Sequence, residues 1–570
     1  MEPVLNGPEP DAPPPAPDPT GDWPGSFDGG PTSPGSPWRR VLLALVAFVA
    51  ATAMVVHLLP MPLATGPDRT SAASTGTVTV FAGAPSSIDP AHAGDLGSAQ
   101  YVSQLFETLT AVDPSLQIRP ALASSWQVSD NGTKVTFTLR DGLEFSDGSP
   151  LKASDVVHSW RRIFYPRDPS PLASLIADVK GARELLSGQS SDTSTLGVSA
   201  PDDKTVVVDM VRGGGSLPAI VSSAPFAVVP SSTTDGEFQP SPAAMVGSGA
   251  YTLASTTDTA WTLQANPHYW AGKPAIDSVQ MLLTLNGQSP VDAYSAGAMD
   301  ITQVDFSDVG WLAYDRQLGP ALRSYPSLSL SYYGFETRHG PFADARLRKA
   351  FAEAVDWRRL ATLTDPNLAA GATSMVPAGI SGVPAGDFLP AFAPAGAKQL
   401  LAQAGFPGGQ GLPTVTMLGG AFGAGFDGQV IAMIKANLGV TVSYSVISAA
   451  AAYQNRLAND PPDIWSMSWV ADYPAPNDFL GVLLGTGSTA NQGGWSNAGF
   501  DTAVADATSA SDPAAAQAAF GKALAIVQDQ APVVPVVYGR SFSLVRDGLL
   551  GAAENGTGLL RLAGMAWSGQ

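Results

Sequence analysis

Nineteen consecutive residues without a formal charge, VLLALVAFVAATAMVVHLL at positions 41–59, constrain this 570-residue chain before anything else does. At about 1.5 Å per helical residue the run reaches roughly 28 Å, close to the hydrocarbon thickness of a bilayer. Arg39 and Arg40 stand immediately before it, and the bias of basic residues toward the cytoplasm places everything after Pro60 on the outer side. The expectation is one transmembrane signal-anchor helix over 38–60. Cleavage is the alternative, but the only small-residue site, Pro62-Leu63-Ala64, puts proline where an unconstrained residue is preferred. A folded-protein export signal is a second alternative, and the motif around the two arginines is incomplete for it. The chain has no cysteine, which removes a lipid-modified cysteine, disulfides, thiolate metal ligands and a cysteine nucleophile together.

The flanks of this run differ in kind. Residues 1–37 hold twelve prolines, six acids and no basic residue, a composition that cannot bury apolar surface and predicts a disordered cytoplasmic tail. Residues 61–76 are mostly Pro, Gly, Ser, Thr and Ala, as expected of a flexible tether. The whole chain carries a net charge of −19, and the tail and span account for little of it. An acidic body repels phosphate backbones, so nucleic acid is excluded as a partner.

From Thr77 the pattern turns to alternating strand and helix, an α/β body too long for one core. Thr77–Phe81 reads as a strand, the apolar residues 102, 105, 106 and 109 as a helical face over 101–109, and Val135–Leu139 as a half-buried strand. Asp344 is the expected cap of a helix with Leu347, Phe351, Val355 and Leu360 on one face, and an Asp344–Arg348 pair on another. Asp141-Gly142 and Asp147-Gly148 are turn dipeptides around residues 143–146, and Gly247 and Gly249 mark a passage too narrow for a side chain.

Catalytic and cofactor signatures are weak. The five histidines at 57, 92, 158, 268 and 339 lack metal-ligand spacing, Asp202-Asp203 lies on a turn, and no nucleophile elbow, Walker loop or H-E-x-x-H helix occurs. Gly423-Ala-Gly425-Phe-Asp-Gly428 fits the dinucleotide-loop pattern, but no acid lies between Gln429 and Asn459, where the ribose-binding residue is needed. The expectation is no enzyme, no cofactor and no metal.

One ordered series of motifs runs through the body: Ile88-Asp89-Pro90, LFETL at 105–109, ALASSWQVSDNGTKVTFTLRDGLEFSDGSPLKASDVVHSW at 121–160, and VGSGAYTL at 246–253. It continues through NPHYWAGKPAID at 266–277, YYGFETRHGPFADARLRKAFAEAVDWRRL at 332–360, WVADYPAPNDFL at 469–480, SNAGFD at 496–501 and APVVPVVY at 531–538. In this the chain resembles the large peptide-binding proteins of bacterial extracellular solute-binding protein family 5, over nearly all of 77–570.

The resemblance implies a two-lobed, hinged periplasmic-binding-protein fold of the large type with an extra subdomain. The first lobe would comprise 77–112, 244–325 and 536–570, the extra subdomain 113–243, and the second lobe 326–535. It further implies a monomeric receptor that closes on an extended peptide and delivers it to ABC permease subunits, its body periplasmic or at the cell surface. By the same resemblance Asp472 receives the peptide's α-ammonium, with Trp469 and Tyr473 beside it. Gly94, Asp95 and Leu96 would pair with the peptide main chain, and Tyr332 and Tyr333 would line the cleft. Each has a plainer reading: Asp472 as a turn residue before Tyr473-Pro474, Asp95 as a solvated loop acid, and Tyr332 and Tyr333 as buried strand residues. Two departures stand out: Ala475 replaces a second acid and Glu336 an asparagine. Two other functions remain open, a receptor for a nickel chelate, oligosaccharide or other cation, and a transport-inactive membrane-anchored sensor.

Overall fold

The computed structural model describes residues 76–569 except 243, 364–368 and 421–424. The expected tail, the membrane span and all but the last residue of the tether lie outside the described residues. Among those described, no helix is long and apolar enough to cross a membrane.

The body is organised by an eleven-stranded mixed sheet that two long strands divide in half. On one side Thr77–Phe81 pairs in parallel with Ser278–Leu282 and with Ile301–Gln303, and the antiparallel strands Tyr251–Thr256 and Ala260–Ala265 complete the edge. On the other side Val415–Gly419 pairs in parallel with Val442–Val446 and with Ile464–Val470. Leu322–Phe335 and Val533–Val545 run antiparallel through both halves. Their register breaks between Pro326 and Leu330, where one strand has left Arg540 and not yet met Tyr538. Broken pairing in two crossing strands is where a fold bends most easily, because few ladder hydrogen bonds oppose rotation there. Each half has its own core, the first around Val80, Tyr101, Tyr251 and Met281, the second on the two faces of its sheet. Two lobes joined by a pair of strands are the result.

A separate four-stranded sheet of Ala123–Ser129, Lys134–Leu139, Thr205–Asp209 and Val198–Ser199 packs on the helix Ala153–Arg162, with Phe137, Trp160 and Phe226 at its centre. This unit is tied to the first lobe by a buried bidentate pair, Arg162 Nη1 and Nη2 donating to Asp89 at 3.1 and 2.6 Å. Val135–Leu139 falls in its expected strand, and the hairpin predicted nearby closes on Asp147-Gly148, with Leu151 N–H donating to Leu143 O at 2.9 Å. A Cβ at Gly247 or Gly249 would stand 2.2 Å from Leu105 O or 2.4 Å from Gln104 O, which accounts for both glycines.

Two local expectations are corrected. The helix expected over 101–109 covers Leu96–Leu105, because Asp95 caps its start and Phe106 is already extended. Residues 106–109 then leave the helix, and Glu107 N–H donates to Ser248 Oγ. Asp344 does cap its helix, but that helix ends at Glu353: Leu347 and Phe351 lie on it, Val355 lies beyond its end and Leu360 sits on a second helix, Trp357–Thr362, capped by Asp356, so the four share one core without sharing one helical face. The ion-pair partner of Asp344, moreover, is Arg346, while Arg348 is buried and donates to the carbonyls of Phe342, Ala343 and Gln530. Burial depresses the Arg348 pKa to about 10.

Candidate ligand cleft

The strand Ile464–Val470 carries the candidate ligand loop to the hinge. Ala471 N–H donates to Leu328 O at 2.8 Å, beside the register break, and the chain then turns at Tyr473-Pro474. Tyr473 and Ala475 are buried in the hydrophobic core of the extra subdomain. A carboxylate at position 475 would be desolvated there, so alanine in that place serves packing.

Asp478 holds this loop in shape. It is 0% exposed, and its carboxylate accepts from Trp469 Nε1 at 2.8 Å and from the Asp472 backbone N–H at 3.2 Å. Burial pushes its pKa up to about 7, the two hydrogen bonds act in the opposite direction, and the nearby Asp472 adds to the rise. Trp469 is thus half-buried and committed through its indole nitrogen to Asp478.

With its main chain pinned, Asp472 projects its side chain into a cleft of about 210 Å³. Facing it across the cleft are Gly94, Asp95 and Leu96, and the segments Ser222–Pro225 and Asn555–Leu559 close the sides. The Asp472 carboxylate has no hydrogen-bond or ion-pair partner among the described residues, and partial burial raises its pKa. Asp95 behaves differently. Burial alone would raise its pKa, but hydrogen bonds from Ser86 Oγ, Ser98 Oγ and backbone N–H groups outweigh this and hold it below the usual carboxylate range. The Asp95 side chain is therefore occupied as a helix cap, and what this segment leaves for a ligand is main chain and the half-exposed Leu96.

Tyr332 and Tyr333 do not line this cleft. They point to opposite faces of their strand, at 3% and 2% exposure, into the two cores of the second lobe. Tyr333 Oη donates to Asp427 Oδ1 at 2.6 Å, and Tyr444 Oη donates to Asp427 Oδ2 at the same distance. Asp427 of the glycine-rich motif opens the helix Asp427–Leu438 and its carboxylate is spent on the two tyrosines, while Gly423 lies outside the described residues. Glu336, in place of the family's asparagine, pairs with Arg338 at 2.7 Å.

Sequence reasoning missed Asp478 as the loop's clamp and missed the wall at 555–559. Asp478 stands inside the motif WVADYPAPNDFL, but its spacing from Trp469 and Asp472 becomes meaningful only once the loop folds back on itself. The turn residues Asn555-Gly-Thr-Gly558 signalled a loop, and nothing in them signalled a wall.

The family model described as "Bacterial extracellular solute-binding proteins, family 5 Middle" matches residues 117–491. Among curated proteins, the probable deoxycholate-binding periplasmic protein YgiS of Escherichia coli K12 is 29% identical over 515 residues, covering 88% of this chain and 94% of that protein. The periplasmic murein peptide-binding protein MppA of the same strain is 30% identical over 497 residues, covering 83% and 89%. Among solved structures, the unliganded open form of the murein tripeptide-binding protein MppA superposes with a TM-score of 0.77 at 27% identity, covering 87% of this chain and 98% of that one. With two lobes on a paired-strand hinge, a cleft between them and a family match across most of the body, the chain belongs to family 5 of the bacterial extracellular solute-binding proteins, which are receptors and not enzymes.

Proposed function

We propose that this protein binds a peptide between its lobes outside the cytoplasm and hands it to the permease of an ABC importer, with Asp472 receiving the peptide's α-ammonium. One observation carries the reading: a carboxylate without an internal partner, its pKa raised by burial, faces the Gly94–Leu96 segment at the hinge. The Asp472 residue is exposed in this arrangement, so a cationic group meets it at the cleft surface and the contact strengthens as closure excludes water. Main-chain pairing along Gly94–Leu96 accepts peptides of varied sequence. Closure follows because the ligand binds the closed arrangement better than the open one. The relatives named for murein peptides and oligopeptides support the ligand class.

A second reading, a receptor for an amphipathic acid, draws on the name of YgiS. The bare Asp472 carboxylate argues against any acid that lacks an amine. The strand pairing supports a lobe boundary at 326–330 on the first pass and at 538–540 on the second, a few residues beyond 535. The charge-free run behind Arg39 and Arg40, in a chain without cysteine, supports a single-pass anchor at the cell membrane.

Titration calorimetry of the full-length chain with a free-amine peptide and its N-acetylated form tests the site. Asp472→Asn keeps the shape but leaves the ligand's charge uncompensated, a loss of about 2 to 5 kcal/mol, or roughly thirty-fold or more in affinity. N-acetylation should weaken binding to the wild type and change little further in the variant. Equal affinity of both proteins for the free-amine peptide refutes the assignment.

A further inference from the structure

Two carboxyl groups belong to the loop that turns at Tyr473-Pro474, and only one of them faces the cleft. Asp472 is exposed, whereas Asp478 stands behind it at 0% exposure, with Trp469 Nε1 donating to its Oδ1 and the Asp472 N–H donating to its Oδ2. Among the described residues no lysine, arginine or histidine pairs with Asp478, and the charge that acts on it is the like charge of Asp472. When two neighbouring carboxyls differ this much in solvation and neither has a counter-cation, the less solvated one keeps its proton. Burial, with Asp472 adding to it, pushes Asp478 up to about 7 against the pull of its hydrogen bonds.

We propose, on the reading of Asp472 as the site of the α-ammonium, that Asp478 makes ligand capture proton-linked: it holds a proton while the cleft is free of ligand and gives it up when a cation reaches Asp472, so that affinity rises with pH through the neutral range. Asp478 touches no ligand; it is a positioning residue whose charge state sets the field at the residue that does. A bound ammonium offsets the charge of Asp472 that opposes ionisation of Asp478, so the carboxyl O–H breaks, the proton passes to the buffer, and the loop turns two negative charges toward one cation. By reciprocity, ionised Asp478 tightens the cation's binding by the same factor by which the cation weakens the proton's. An ammonium beyond the Asp472 side chain lies on the order of 10 Å from Asp478, where an effective dielectric of about 20 and screening by the open cleft leave a coupling of roughly tenfold.

The other groups in reach keep their charge over this range. Asp95 and Asp472 are the charged residues lining the cleft, and at Asp95 burial is outweighed by hydrogen bonds from Ser86 and Ser98, so it stays ionised. Burial keeps the phenols of Tyr473, on the loop, and of Tyr332, in the core beneath Phe479 and Leu480, neutral. Tyr538 of the same core spends its hydroxyl on the carbonyls of Ser374 and Val376. Asp178 of the extra subdomain, which acts on Tyr473, is paired with Arg183 and Arg212.

The test is calorimetry of trialanine binding to the full-length chain and to Asp478→Asn from pH 5.5 to 8, in phosphate and in ACES, two buffers of different ionisation enthalpy. At pH 6.5, where the peptide's own ammonium is still charged, the wild type should release about half a proton per peptide bound, read from the dependence of the binding enthalpy on the buffer. Its affinity relative to the variant's should rise roughly five- to tenfold from pH 5.5 to 8, a ratio in which the titration of the peptide cancels. The proton-release measurement uses the unaltered protein, so a damaged variant cannot imitate it. Binding by the wild type without proton release overturns the inference and leaves the peptide reading in place. Equal release by both proteins does the same, because it puts the proton on Asp472. Failure of trialanine to bind either protein at any pH overturns the peptide reading and the proton linkage with it.

Discussion

Asp478→Asn separates two contributions of one buried carboxyl, its hydrogen bonds and its proton. In the folded chain the group titrates near 7, against an ordinary value of 3.8. At about 1.4 kcal/mol per tenfold change in proton affinity, that gap corresponds to about 4 kcal/mol. The sign follows from proton counting. Below pH 3.8 both folded and unfolded chains hold the proton, and the group costs nothing. As pH rises from there toward 7 the unfolded chain has released it and the folded chain has not, so stability falls by up to about 1.4 kcal/mol per pH unit. Above 7 both are ionised and the decline ends. Asparagine cannot accept from both Trp469 Nε1 and the Asp472 N–H, and the resulting orphan donor costs about 1 to 3 kcal/mol at every pH. Subtracting the two proteins' unfolding free energies at each pH cancels the rest of the molecule. The variant should be the less stable protein at pH 4 and should gain about 4 kcal/mol on the wild type by pH 8, ending equal or ahead. Urea unfolding of both full-length chains from pH 4 to 8, followed by tryptophan fluorescence, measures this difference. A difference that stays flat over that range refutes the raised pKa of Asp478.

Three further outcomes are expected. Asp89→Ala leaves Arg162, whose side chain is 1% exposed, as an uncompensated buried cation, and should destabilise the junction of subdomain and first lobe by about 3 to 5 kcal/mol in urea unfolding. Gly249→Ala places a Cβ 2.4 Å from Gln104 O and 2.5 Å from Leu105 C, backbone atoms that cannot yield, and should cost about 2 kcal/mol or more, read as a lowered melting temperature. A periplasm-dependent reporter fused after Gln570 should be active and remain in the membrane fraction; cytoplasmic activity contradicts the topology, and a shortened soluble product indicates cleavage near Ala64.

The α/β class was legible in the sequence because strand and helix leave different apolar periods. Thr77–Phe81 and the helix bearing Leu347 and Phe351 were identified on that ground alone, whereas the break before Trp357, which puts Leu360 on a second helix, was not. The proposed ligand contact at Asp472 rests only on the ordered motifs that carry the family resemblance. Local pattern failed where two partners compete for one group. Arg348 was matched to Asp344 by spacing, but it is drawn inward to three carbonyls, and Asp344 closes on Arg346. The helix at 101–109 was displaced by a cap at Asp95, which apolar spacing does not register.

Tyr332 and Tyr333 show the limit most clearly. An alternating aromatic strand serves a cleft wall or a core equally well, and the choice depends on what packs against each face, here the helices and loops of the second lobe. Asp472 and Gly94 stand 378 positions apart, and only the crossing of two long strands brings their segments to one cleft. The sequence by itself determined the class of elements, the exported acidic body and the family. Tertiary structure alone decided which carboxylates are free, which are clamped and which are buried, because solvation and hydrogen-bond partners belong to the packed chain and not to any residue's neighbours in sequence.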